Sequence, residues 1–143
     1  MLRKLRERTY EGQGGFSLIE LLVVILIIGV LAAIALPAFL GQREKGQDSS
    51  AKSAARNLVS AVESYYATNQ TYVGAATDND ILQSGVNGTT AGKASVTASS
   101  ATGYTIVGYS ASNNQFTITK AGAVVTRTCT TTGTGACPSG GTW

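Results

Sequence analysis

The sequence predicts an α+β protein: a long N-terminal helix, apolar in its first half and amphipathic in its second, packed on a small antiparallel β-sheet. Three observations carry this. No charged residue occurs between Glu20 and Arg43. Apolar residues then recur at helical spacing from Ala51 to Tyr66. Between residues 103 and 129, runs rich in Val, Ile, Thr, Tyr and Phe are separated by turn residues. A chain of 143 residues and 14.7 kDa has room for one domain and an anchor, and none for a large enzymatic core.

The first fifteen residues are basic: Arg3, Lys4, Arg6 and Arg8 stand against Glu7 and Glu11. Of eleven basic and eight acidic residues, seven and six remain from Phe16 onward, so the body of the chain is nearly neutral. A nucleic-acid surface needs a basic stripe, and no specific nucleic-acid partner is expected. The chain has no His. That excludes Ser/His/Asp and Cys/His catalysis and most zinc sites, and neither a metal nor another cofactor is expected.

Residues 16–39 form an apolar run. As a helix it reaches roughly 36 Å, against ~30 Å of bilayer hydrocarbon. The basic flank precedes it, which places the N-terminus in the cytoplasm and the C-terminal bulk outside. A secretory signal peptide would have a shorter core followed by a small-x-small cleavage site, and here the small residues come first. A lipoprotein signal would need a Cys just after the run. A plain single-pass anchor fits the length but leaves Glu20 and the Gly14–Gly15 pair unexplained, and a carboxylate within such a span is costly.

A basic leader ending in Gly15, followed by "FSLIELLVVILIIGVLAAIALPAF", resembles a type IV prepilin of the pilin/pseudopilin superfamily. The motif is Gly, an apolar residue, a Glu five positions after the Gly, and a long apolar run. The leader length and the Phe resemble the type IVa subclass. The resemblance implies cleavage between Gly15 and Phe16 by a membrane prepilin peptidase and methylation of the new Phe16 amine. The chemistry agrees. Gly15 lets the backbone lie extended in a protease site. After cleavage, the Phe16 ammonium of one subunit can meet Glu20 of a neighbour, and a buried carboxylate needs such a partner. Without the resemblance, Glu20 reads as a carboxylate at a helix N-terminus, where the dipole suits it.

The remaining elements follow in order. Gly29 and Pro37 interrupt the apolar helix of residues 16–40, and Pro37 is expected to bend or break it. The resemblance implies that this interval can lose helical order in a filament and give it extensibility. Gly41 and Gly46 are further weak points. Residues 41–68 continue the spine as an amphipathic helix. Ala51, Ala54, Ala55, Leu58, Val59, Val62, Tyr65 and Tyr66 lie on its apolar side, with Lys52, Arg56, Ser60 and Glu63 among the residues on the others. "ATNQTY" ends it.

Residues 69–143 form the globular part. Residues 77–100 read as a long loop with one strand near 93–97. Segments 103–111, 115–121 and 123–129 read as a meander, with Tyr104, Ile106, Phe116 and Ile118 facing the helix. The aromatics Phe16, Phe39, Tyr65, Tyr66 and Tyr72 read as packing residues. With no His and no further Cys, Cys129 and Cys137 read as a local disulfide, formed outside the cytoplasm, that orders the tail "TTTGTGACPSGGTW".

The sequence therefore predicts a non-enzymatic subunit of a type IV pilus. It is held in the cytoplasmic membrane as a precursor, cleaved, and polymerised into a helical homo-oligomeric surface filament. The resemblance implies an assembly ATPase and a platform protein as partners. A pseudopilin of a secretion or DNA-uptake machine is the alternative. An acidic C-terminal calcium site of the kind such proteins carry has no counterpart here, because no Asp or Glu follows Asp80. A membrane-anchored adhesive module that never polymerises is the alternative from another class.

Overall fold

A computed structural model describes residues 15–143. The expected leader, with its basic residues and Gly14, lies outside the described residues. The element order is α1 (Leu18–Asn69), a 3₁₀ turn (Ala75–Thr77), α2 (Asn79–Leu82), β1 (Ala94–Ser99), β2 (Gly103–Tyr109), β3 (Gln115–Ala121) and β4 (Val124–Cys129). The chain falls into two compact units, one ending at Ala38 and one running Phe39–Trp143.

The first unit is helical from Leu18 onward. Its side chains find no core: every large apolar residue from Phe16 to Leu36 is 43–80 % exposed or more, with Phe16 at 89 %. Helix α1 continues through Gly29 and Pro37. Of the two outcomes expected of Pro37, the break does not occur. Pro37 removes one backbone donor, and the intact turns on either side keep the remaining ladder.

The second unit holds the core. The strands form one antiparallel sheet in the order β1-β2-β3-β4, a simple meander. Register sets Ile106 opposite Ile118 and Gly108 opposite Phe116, so these residues share a face. That face meets Ala51, Ala54, Ala55, Leu58 and Val62 of α1, all buried, as are Tyr104, Ile106, Phe116 and Ile118. The Ala-rich stretch of α1 has a steric reason. A Cβ on Gly108 would stand 2.5 Å from the Ala51 carbonyl oxygen and 3.2 Å from the Ala55 methyl, so helix and sheet backbones approach closely here.

Helix α1 stops where the sequence says it should. Gln70 takes a left-handed conformation, φ 56°. The Gln70 side-chain amide donates to the carbonyls of Tyr66 and Ala67 and that of Asn69 to the carbonyl of Tyr65, while the Gln70 backbone N–H also donates to Tyr66, so the carbonyls of the last turn are held at the helix end. The segment read as a long loop is more ordered than that. Within residues 77–100, Ile81 is buried in the core beside Tyr72 and Ala75 from the preceding stretch, and Asp78 caps α2 by accepting from the N–H groups of Asp80 and Ile81. The strand expected at 93–97 is β1, Ala94–Ser99, with a bulge between Val96 and Ala98. Of the aromatics expected to pack, Tyr66 stacks on Tyr72 at 4.4 Å and Tyr72 meets Tyr104 edge-on at 5.0 Å. Phe16 and Phe39 are exposed.

Candidate functional site: the N-terminal motif and the polar clusters

In the first unit, the motif residues occupy the start of α1. The Ser17 hydroxyl accepts from the Glu20 N–H at 3.2 Å, and the Glu20 carboxylate accepts from the Ser17 N–H at 2.8 Å. This is a capping box, which satisfies two donors that the first turn of a helix leaves free. The signal was present in the sequence as Ser-x-x-Glu. In the single chain, then, the Glu20 carboxylate has a partner of its own, the Ser17 N–H. It remains exposed, as does Gly15, around which a Cβ would meet nothing within 4 Å. Phe16 projects from the head of the helix. Gly29 and Pro37 lie further along the same helix and make no approach to the motif. Among the described residues, α1 is the one helix long and apolar enough to cross a membrane.

In the second unit, two carboxylates that the pattern of apolar residues did not single out organise polar clusters. Asp48 is fully buried. It accepts from the Ser112 hydroxyl and, at 2.7 Å, from the Ala136 N–H. Burial alone would raise its pKa, but hydrogen bonds led by the Ser110 and Ser112 hydroxyls and the Ala136 N–H hold it below the ordinary 3.8. One turn on, the Lys52 ammonium donates to the carbonyl of the same residue, Ala136, at 2.6 Å. The Ala136 peptide groups are thus gripped from both sides by one face of α1. Ala136 sits inside the loop closed by the Cys129–Cys137 disulfide, whose Cα atoms are 5.8 Å apart. Gly135 beside it has φ 56°, and a Cβ there would stand 2.2 Å from an Asp48 carboxylate oxygen. Lys52, expected among the polar residues of the helix, is half-buried because the disulfide loop folds over it.

Glu63, likewise expected on the polar side, faces the sheet. It pairs with Lys120 at 2.8 Å and accepts from the hydroxyls of Tyr72 at 2.8 Å and Tyr104 at 3.0 Å. Burial opposes its charge, yet these bonds, Lys120 first, hold its carboxyl below the ordinary 4.5. Burial raises both tyrosines, with Glu63 adding to the effect, and the hydrogen bond to Glu63 raises Lys120.

The pH dependence follows by sign. Asp48 and Glu63 titrate lower in the folded chain, so their contribution is present above the ordinary carboxylate range and lost as pH falls through it. Lys120, Tyr72 and Tyr104 titrate higher when folded, so theirs is present below the ordinary range and lost as pH rises past it. The melting temperature of the oxidised chain is expected to be flat between about pH 5.5 and 9 and to fall on both sides. A melt unchanged from about pH 6 down to about pH 3 would contradict the assignment of both carboxylates.

Comparison with known proteins bears on the N-terminus. Residues 12–36 match the family model of the prokaryotic N-terminal methylation motif. The chain is 44 % identical over 75 residues to a fimbrial protein of Neisseria meningitidis serogroup B, covering 48 % of this chain and 44 % of that one. It is 50 % identical over 54 residues to type IV major pilin protein PilE1 of Neisseria gonorrhoeae, covering 38 % and 33 %. It is 41 % identical over 58 residues to type IV major pilin protein PilA of Myxococcus xanthus, covering 41 % and 26 %. The matched segments thus span less than half the length of each of these relatives. With an apolar N-terminal helix, a four-stranded antiparallel sheet and this motif, the chain is similar in sequence to fimbrial proteins and type IV major pilins and carries the prokaryotic N-terminal methylation motif.

Proposed function

We propose that the chain is a structural subunit of a type IV pilus. It is made as a precursor anchored in the cytoplasmic membrane with its N-terminus inside, cut between Gly15 and Phe16 by a prepilin peptidase, and methylated on the new amine. Copies then assemble through their apolar helices into a surface filament, drawn from the membrane by an assembly ATPase and a platform protein.

The observation that carries this reading is the N-terminal motif at the head of an apolar helix with no core of its own. A surface of that size is stable only in lipid or against other such helices. The two environments correspond to the two stages of the subunit. The interval around Gly29 and Pro37 is where the helix has fewest constraints, and it is the place for extension of the filament under load.

Intact-mass analysis of sheared surface material tests the reading. The chain is expected to begin at Phe16 with one added methyl group and an intact Cys129–Cys137 bond. Gly15→Leu is expected to block cleavage, because a branched side chain obstructs an extended backbone in a protease cleft. Surface protein beginning at Met1 would overturn the precursor reading, and processed protein that never appears in sheared fibres would favour a non-polymerising anchored module.

A further inference from the structure

In the second unit, Trp143 is firmly placed. Its ring lies edge-on to Phe116 at 5.5 Å, and its Nε1–H donates to the Thr128 carbonyl at 2.9 Å. Three cations stand around that ring. The Arg56 Cζ is 5.2 Å from the centroid, the Lys52 Nζ 5.4 Å and the Arg127 Cζ 5.9 Å. Lys52 is already engaged with Ala136 and balanced by Asp48. Arg56 and Arg127 are exposed and enter no ion pair among the described residues, where the one salt bridge is Lys120–Glu63. The ring attracts these cations through its quadrupole but has no net charge to offset them. At Lys52, burial pushes the ammonium down, the Asp48 charge opposes this, and the Arg56 charge adds to it. Register sets Arg127 opposite Ile118, on the helix side of the edge strand β4, with the half-exposed Val125 two residues before it.

A surface of opposite sign lies elsewhere on the same unit. A cleft between α1 and α2 is lined by Ala61, Ser64, Tyr65, Thr68, Asp78 and Asp80. Asp78 uses one oxygen to cap α2. The Asp80 carboxylate is exposed and makes no hydrogen bond or ion pair among the described residues. On α1 the cleft is centred about 13 Å along the axis from Arg56 and about 130° around it. The two surfaces therefore do not overlap.

We propose that these surfaces are the two halves of one contact, with Arg56, Arg127 and Trp143 of one copy seated on the Asp78–Asp80 cleft of a second copy. The inference rests on the subunit reading above and assigns it a contact outside the apolar helices. Because the halves are different patches, the contact is heterologous: each joined pair keeps one free half at either end, to which a further copy adds, as growth of a filament requires. Opposite charge fixes which patch meets which and in what register. A polyanion is the weaker occupant. Two uncompensated arginines make a small footprint, and Phe39–Trp143 carries its own acidic counterpart.

The test is a charge swap in the full-length chain, read as the ratio of sheared fibre to processed membrane pool. Asp80→Lys and Arg127→Glu are each expected to lower that ratio at least about tenfold, and the double swap to restore it to within about threefold of wild type. Arg127 supports Trp143, so Arg56→Glu with Asp80→Lys serves as a second swap if Arg127→Glu does not fold. Single variants with wild-type fibre yield would overturn the contact and leave the subunit reading standing. Single losses that no double swap restores would show that the patches act separately, and the pairing would be wrong. A wild-type chain that is processed but forms no fibre would remove the subunit reading and this contact with it.

Discussion

Glu20→Ala is expected to leave membrane insertion and Gly15–Phe16 cleavage largely intact while nearly abolishing assembled fibre. In the filament the Phe16 ammonium would be buried without its counter-charge, a defect of about 3–5 kcal/mol per subunit by analogy with broken buried pairs. The capping box complicates the reading in a useful way. Glu20→Ala also removes the acceptor for the Ser17 N–H, which loosens the first turn by about 1 kcal/mol. Glu20→Gln separates the two effects, because Gln serves in a capping box as Glu does but has no charge. If the carboxylate pairs with a neighbour's amine, Gln lowers fibre yield strongly, though less than Ala. If Glu20 merely caps α1, Gln is normal and Ala is mild. The ratio of sheared fibre to processed membrane pool decides between them, and a normal ratio for Glu20→Ala would refute the pairing.

The second large effect is expected at Asp48. Asp48→Ala strips acceptors from the Ser112 hydroxyl and the Ala136 N–H in a fully buried place. It also leaves Lys52 without its balancing charge. Hydrogen bonds to a charged group contribute about 1.5–3 kcal/mol each, and unsatisfied buried donors add to the loss, so destabilisation of about 3–4 kcal/mol is expected. For a unit of this size that lowers the melting temperature by more than about 12 °C. Asp48→Asn keeps the volume but turns an amide toward donors, and is expected to fall between. Asp80→Ala, at an exposed and unbonded carboxylate, is the control and should melt as wild type. Thermal unfolding of the oxidised chain in detergent measures all three, and an Asp48→Ala melt within about 3 °C of wild type would show that the loop is held by its disulfide alone.

Much of this molecule is legible in its sequence because its strongest signals are local. The uncharged run after Glu20 and the spacing of Ala51, Ala54, Ala55, Leu58 and Val62 report directly on one helix and its buried side. The alternation in β2 and β3 likewise named Tyr104, Ile106, Phe116 and Ile118 as the inner face of the sheet. What escaped depends on distant partners. Nothing near Asp48 in the chain announces that Ala136, 88 positions on, will reach it. Glu63 looks like a solvent residue until Lys120 arrives from β3. The segment before β1 is rich in turn residues, and its order comes from Tyr72, Ala75 and Ile81 reaching a core assembled elsewhere. The Ser17–Glu20 box differs: it is a local pattern in plain view, masked by the stronger expectation that Glu20 awaits another subunit.

The grip on Ala136 is made to backbone atoms, with Asp48 holding the N–H and Lys52 the carbonyl, while the cysteines close the loop around it. The side chains of Thr131, Pro138 and Ser139 are exposed and take no part in that hold. The loop thus separates shape from lettering. Its path is fixed by the left-handed Gly133 and Gly135, the two cysteines, the hydroxyls of Thr130 and Thr134, Asn114 and two residues of α1, and the rest of its outward text can be rewritten without loosening it. Random substitution across residues 130–140 should therefore sort into two classes: a few positions where folding is lost, and a larger exposed set where chemistry on the outer surface can drift freely at almost constant stability.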